Sequence, residues 1–152
     1  MIQQQETGTR RQNIEQERGR QAWKDIREIK DQKPPNKELE KKYRSLARGL
    51  NAMIQINGLG QTLGFLKAKS KEKKAEHFYL LKHLSQWMQD HFSASNISVM
   101  GDSYDGFLSW VLDKDTSSAD YRRATTESLA FGNWLSRFAE AELEEPKPGE
   151  GR

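Results

Sequence analysis

The sequence predicts an all-α protein: a single compact, bundle-like domain of five to six helices. Three observations predict it. Apolar residues recur at i, i+3, i+4 and i+7 along several stretches, the period of one helix face. Valine occurs only at Val99 and Val111, too rarely for a sheet that draws on β-branched side chains. Hydrophobic residues make up 34% of 152 and charged residues 31%, so the apolar side chains must be gathered on stripes around one modest core.

Taken in order, residues 1–12 are rich in Gln and Arg and read as a flexible polar N-terminal segment. Residues 13–143 read as the helical domain. From Asn13, Ile14, Ala22, Ile26 and Ile29 share a face, with Arg20, Lys24 and Arg27 opposite. Gly19 weakens the middle of this helix by about 1 kcal/mol relative to Ala. Pro34-Pro35 stops it, because a proline biases the preceding residue out of helical backbone.

Asn36 reads as an N-cap, with Glu38 and Glu40 near the positive helix end. The next helix has the clearest period: Leu39, Tyr43, Leu46, Ala47, Leu50, Met53 and Ile54 form one stripe. On the opposite side lie Lys37, Lys41, Arg44 and Arg48, four cations in line with no acid among them. Asn57-Gly58-Leu59-Gly60 breaks the period, and Leu63 and Leu66 resume it up to Lys69. This junction predicts a left-handed glycine at Gly58, with Leu59 dropping into the core.

Five lysines follow, at 67, 69, 71, 73 and 74. A helix from about Ala75 to Phe92 buries Leu80, Leu81, Leu84, Trp87, Met88 and His91. Ser93 to Asn96 reads as a turn, and a short helix from Ser103 to Leu112 carries Tyr104, Phe107, Leu108 and Val111. The final helix, from about Ala119 to Leu143, carries Tyr121, Ala124, Ser128, Phe131, Leu135 and Phe138 in a near-heptad row. Residues 144–152 contain two prolines and two glycines and read as a disordered tail.

The chemistry implied is binding rather than catalysis. There is no cysteine, which removes disulfides, thiolate nucleophiles and Cys-ligated zinc. His77, His83 and His91 are spaced 6 and 8 apart and miss the i, i+4 spacing of a helical metal pair. Asp102 with Asp105, and Asp113 with Asp115, fit caps and turns better than a cation loop. Asn57 to Thr62 lacks the ending of a phosphate loop and follows no strand. The sequence predicts no enzyme and calls for no cofactor or metal. Without a membrane-length apolar run or a signal pattern, the expected place is the cytoplasm.

Charge points to a polyanion. Residues 1–76 hold 18 basic against 10 acidic side chains (+8), and residues 77–152 hold 7 against 12 (−5). Such polarity suits a polyanion on one side and head-to-tail contact between weakly associating copies on the other, or serves only to keep a helical protein soluble. The RNA-binding candidates are Lys37, Lys41, Arg44 and Arg48, with Lys67 and Lys69 nearby. Asn57 and Gln61 join them as exposed polar groups of the junction. Trp23, Trp87 and Trp110 read as core or subunit contacts, and Trp134, to the side of its stripe, as an interface anchor.

Two segments carry a resemblance. Tyr43-Arg44-Ser45-Leu46-Ala47 leads to Met53-Ile54-Gln55-Ile56-Asn57-Gly58-Leu59-Gly60-Gln61-Thr62-Leu63-Gly64-Phe65-Leu66. The second is Arg123-Ala124-Thr125-Thr126-Glu127-Ser128-Leu129-Ala130-Phe131, then Asn133-Trp134-Leu135-Ser136-Arg137-Phe138-Ala139-Glu140-Ala141. Over residues 13 to 143 the chain resembles the small helical subunit of the type III-B CRISPR effector, the Cmr complex. It departs from that pattern at Gly64, where alanine would suit the helix, and at Gly132, where a larger apolar residue would.

The resemblance implies a non-catalytic subunit, present in several copies that stack into a short filament beside the backbone holding the crRNA. The duplex of guide and target RNA would lie in the channel between. Target cutting would belong to the backbone subunit, and signalling or DNase chemistry to the large subunit. The competing class is a helical protein-interaction or scaffold module without direct RNA contact, its basic stripe only a solvated face. A sequence-specific DNA-binding regulator fits poorly, since no helix–turn–helix stands out.

Overall fold

The computed structural model describes residues 2–92 and 105–148, with side chains from Asn13 onward. The described residues form six helices and no strand: α1 (Ile2–Lys30), α2 (Lys37–Asn57), α3 (Leu59–Lys71), α4 (Ala75–His91), α5 (Asp105–Leu112) and α6 (Ser118–Glu142). The all-α reading holds. Helical backbone in α1 runs back through the polar leader to Ile2. The expected turn at 93–96, the Ser103 and Tyr104 start of the short helix, and residues 149–152 lie outside the described residues.

Local chemistry sets the helix ends. Asn36 Oδ1 accepts the Leu39 amide at 3.1 Å and caps α2. Ser117 Oγ accepts the Asp120 amide at 3.1 Å and caps α6. Between α2 and α3 a single residue makes the bend. Gly58 has φ 89° and ψ 159°, a region essentially closed to residues with a Cβ. Its amide donates to the Ile54 carbonyl, ending α2. Its own carbonyl accepts the Thr62 amide and hydroxyl, starting α3. Leu59 is fully buried, as the sequence predicts.

Helix α6 is the central member, packed against α1 on one flank and α2 on the other. Along α1 the partners ascend together: Arg18 with Glu127, Gly19 under Trp134, Trp23 with Phe138, Lys30 with Glu142. These two helices therefore run parallel. Along α2 the order reverses, from Asn51 beside Leu129 and Asn133 to Arg44 beside Leu143. Helix α4 closes the core beneath, with the Trp87 ring stacked 4.8 Å from Phe131. Helix α3 packs on α4, and α5 lies against both.

Two glycines let helices approach. A Cβ on Gly132 would stand 2.2 Å from Asn51 Oδ1, so only hydrogen fits where α2 meets α6. Gly19, which weakens α1 locally, presents the surface on which the Trp134 indole lies, 3.3 Å from where a Cβ would stand. Trp134 is thus half-covered by its own chain, where sequence spacing pointed to an interface anchor. Gly64, by contrast, has nothing within 4 Å of a Cβ.

The histidines also differ from expectation. His91 is only half-buried, stacked 3.8 Å over Trp87. His83 is the buried one, at 1% exposure. Its Nδ1 meets the Tyr43 hydroxyl at 2.8 Å, and its Nε2 meets Glu28 Oε1 at 2.8 Å.

Candidate nucleic-acid interface

The fold divides the eight residues singled out in the sequence. Lys37, Lys41, Arg44 and Arg48 do line one flank of α2, but that flank borders α6. Lys37 pairs with Glu40 at 3.5 Å and Glu144 at 3.7 Å, and Lys41 with Glu38 at 3.6 Å. Arg44 donates to the Leu143 carbonyl at 3.1 Å. Arg48 is exposed, and no carboxylate among the described residues pairs with it. Asn57 and Gln61 are exposed on either side of the Gly58 bend. Lys67 pairs with Asp105 of α5 at 2.7 Å and Lys69 with Glu72 at 3.2 Å.

Packing brings other cations together. Asn51 of α2 donates to Asn133 Oδ1 of α6 at 2.7 Å, across exposed surface. The two helices are antiparallel, so one turn along from that bond α2 presents Arg48 and α6 presents Arg137, side by side and both exposed. On the other flank of α6, α1 presents Arg20 and Lys24, also exposed and without a carboxylate partner among the described residues. Trp23 stands between them at 39% exposure, its ring edge against Phe138 at 5.2 Å. The Arg27 guanidinium lies 5.6 Å from the Trp23 ring centroid.

The outer surface of α1, α6 and α2 is therefore a broad, arginine-rich face with an aromatic group in it. Arginine's planar donors suit phosphate oxygens, and the indole suits a base or sugar face. Its acids are few: Glu140 is exposed on α6, and Glu142 is held at 2.8 Å by Lys30. Spacing in the sequence had put Arg20 and Lys24 on the polar side of their helix but gave no reason to join them to α2. Arg137 carried no signal beyond its place in the second family-like segment.

The most elaborate polar cluster lies inside. Asp25, Glu28, Tyr43, Lys82 and His83 meet where α1, α2 and α4 pack. Burial pushes the Asp25 carboxyl up to about 6, and its Oδ1 accepts from Gln21 at 2.9 Å. The His83 hydrogen bond holds Glu28 down at about 2, helped by Lys82 at 2.9 Å. Burial raises the Tyr43 hydroxyl well above its ordinary value. Tyr–His–Glu is the order of an activated nucleophile, yet Tyr43 is fully buried, so no substrate reaches it. The cluster ties three helices together. Among the described residues no three His, Asp or Glu side chains converge to hold a metal, and no helix is long and apolar enough to cross a membrane.

A family model described as CRISPR-associated protein (Cas_Cmr5) matches residues 14–142, from Ile14 in α1 to the last residue of α6. The match takes in both segments quoted above, the Gly58 bend and the α1–α6–α2 face. This chain belongs to the Cas_Cmr5 family and is a small Cmr-type (type III-B) CRISPR-associated subunit.

Proposed function

We propose that this chain is a non-catalytic small subunit of a type III-B effector ribonucleoprotein, acting in the cytoplasm in antiviral defence. Several copies stack beside the backbone and large subunits and line the channel for the duplex of crRNA and target RNA. The observation that carries the reading is the set of cations Arg20, Lys24, Arg48 and Arg137, without carboxylate partners among the described residues, around Trp23 on one three-helix face. Such a face binds phosphates without reading sequence, as a lining subunit must. Asn57 and Gln61 flank the end of α2 and extend the polar surface there. Lys37, Lys41, Lys67 and Lys69 remain candidates, but each must first leave an intrachain carboxylate.

That pairing is what favours the second reading, a helical scaffold module without direct RNA contact. Salt-dependent RNA binding separates the two. Arg48→Glu with Arg137→Glu should weaken binding across all sequences and flatten the salt slope by roughly one unit per lost phosphate contact. Lys67→Glu with Lys69→Glu should change it less. Unchanged affinity in the first double variant, with the fold intact, establishes the scaffold reading.

A further inference from the structure

On the side of α2 facing away from Arg48, a groove of about 720 Å3 runs between α2, α3 and the start of α4. Its floor is apolar: Leu39, Leu46 and Met53 of α2, with Phe65 of α3 at 39% exposure. The three α2 residues are spaced by seven. Lys42, Gly49 and Ile56 form a second row with the same spacing, and Ile56 at its end is 80% exposed. Two interleaved rows of period seven are half of a helix–helix seam. Leu39 to Met53 covers about 21 Å of axis at 1.5 Å per residue. That is a trough for a rod rather than a cup for a small molecule.

Gly49 strengthens this view. It sits in mid-helix, where Gly is about 1 kcal/mol worse than Ala, yet nothing lies within 4 Å of where its Cβ would be. Within the chain alone, alanine would fit and stabilise α2. The bare backbone leaves room for a second helix to lie close at that point.

Charge defines the occupant further. Lys42, Lys73 and Lys74 surround one end of the groove, and no carboxylate among the described residues pairs with them. Of the two acids in the lining, Glu38 pairs with Lys41 at 3.6 Å, and Glu76 lies 3.3 Å from His77. RNA would require cations along the whole trough, but its middle is Leu46, Gly49, Met53 and Phe65. A second copy is a poor occupant too. The chain's own acidic segment is tied down: Leu143 is buried, and the Glu144 amide donates to Glu40.

We infer that the α2–α3–α4 groove docks an amphipathic helix of a different protein subunit. That helix's apolar stripe covers Leu46, Met53 and Ile56, and carboxylates at one of its ends meet Lys42, Lys73 and Lys74. The basic α1–α6–α2 face is left free for RNA, so the two surfaces serve different partners.

The chain has no cysteine, so Ser45→Cys, with its side chain in the groove, takes a single benzophenone label. The labelled protein is assembled with the other subunits and guide RNA, irradiated, and the crosslinked peptide sequenced. The expected product joins Ser45→Cys to a helical, carboxylate-bearing segment of another subunit, and Lys42→Cys gives the same partner nearer its acidic end. Crosslinks to RNA, to a second copy, to a segment without that character, or to nothing overturn the proposal. In parallel, Lys42→Glu with Lys74→Glu should lower incorporation into the complex about tenfold or more, with the free protein's melting temperature unchanged. Normal incorporation of that variant also overturns it. RNA binding by the free chain tests the RNA reading on its own, so the two can fail separately.

Discussion

Arg18 of α1 grips Glu127 of α6 with two N–H groups, Nε and Nη2, each 2.7 Å from a carboxylate oxygen. The same carboxylate accepts the Trp87 indole N–H at 3.1 Å, so one acid joins α1, α4 and α6. Both partners are 17% exposed, and the bond to Glu127 raises the Arg18 guanidinium above its ordinary value. Removing one side leaves a carboxylate short of donors in a mostly dry place. Arg18→Met should therefore cost about 2–4 kcal/mol in urea unfolding. A loss under 0.5 kcal/mol would mean that water replaces the guanidinium freely.

Gly132 and Gly64 should answer oppositely to alanine. Gly132→Ala forces Asn51 out of its bonds to Leu129 and Asn133, and should cost about 2 kcal/mol or more. Asn51→Ala in the same chain should recover part of that loss, since the clash is with the Asn51 side chain. Gly64→Ala meets nothing and should add about 0.5–1 kcal/mol through helix propensity alone. Thermal melts of the three variants check this. A destabilised Gly64→Ala would show that α3 needs flexibility there.

At Gly58 the constraint is backbone angle, not space. A Cβ would stand 3.7 Å from the Tyr121 hydroxyl, an ordinary contact, but at φ 89° and ψ 159° any Cβ is strained. Gly58→Ala should cost about 1–3 kcal/mol. Gln61→Ala, on exposed surface, should leave the melting temperature within 1 °C and report only on RNA binding. Equal melting temperatures for Gly58→Ala and the parent would mean that α2 and α3 can join as one continuous helix.

Asp25 should make the protein less stable as pH rises through 6. Its carboxyl is held at about 6 in the fold against an ordinary 3.8, so the folded chain keeps a proton that the unfolded chain has already lost. This stabilisation is complete below 3.8 and gone above about 6, a swing of about 2–3 kcal/mol. Glu28, held at about 2, acts in the other direction: its contribution is present above 4.5 and is lost as pH falls toward 2. Asp25→Asn should be the more stable protein at pH 8 and lose that advantage by pH 5. Parallel stability curves for the two proteins across that range would place the proton elsewhere.

The sequence carried the stripes faithfully. Leu39, Tyr43, Ala47, Leu50 and Ile54 are buried, Asn36 caps its helix, and Gly58 bends the chain where the period breaks. Period says which face of a helix is covered, however, not which helix covers it. The row Lys37, Lys41, Arg44, Arg48 holds no acid in sequence, yet Glu38, Glu40 and Glu144 reach it in space. Arg137 joins Arg48 only because α6 runs antiparallel to α2. His83 was hidden because its partners lie 40 and 55 residues away in sequence. Local spacing cannot show a bond of that reach.

Helix α6 sits between α1 and α2, which touch each other far less than either touches α6. A ribosome therefore releases two helices with exposed apolar stripes well before the segment that unites them is made. Leu50, which packs beside Gly132, can be sealed only after α6 emerges. A chain stalled before α6 would present two sticky faces to its surroundings and would depend on rapid completion or on chaperone cover during that interval.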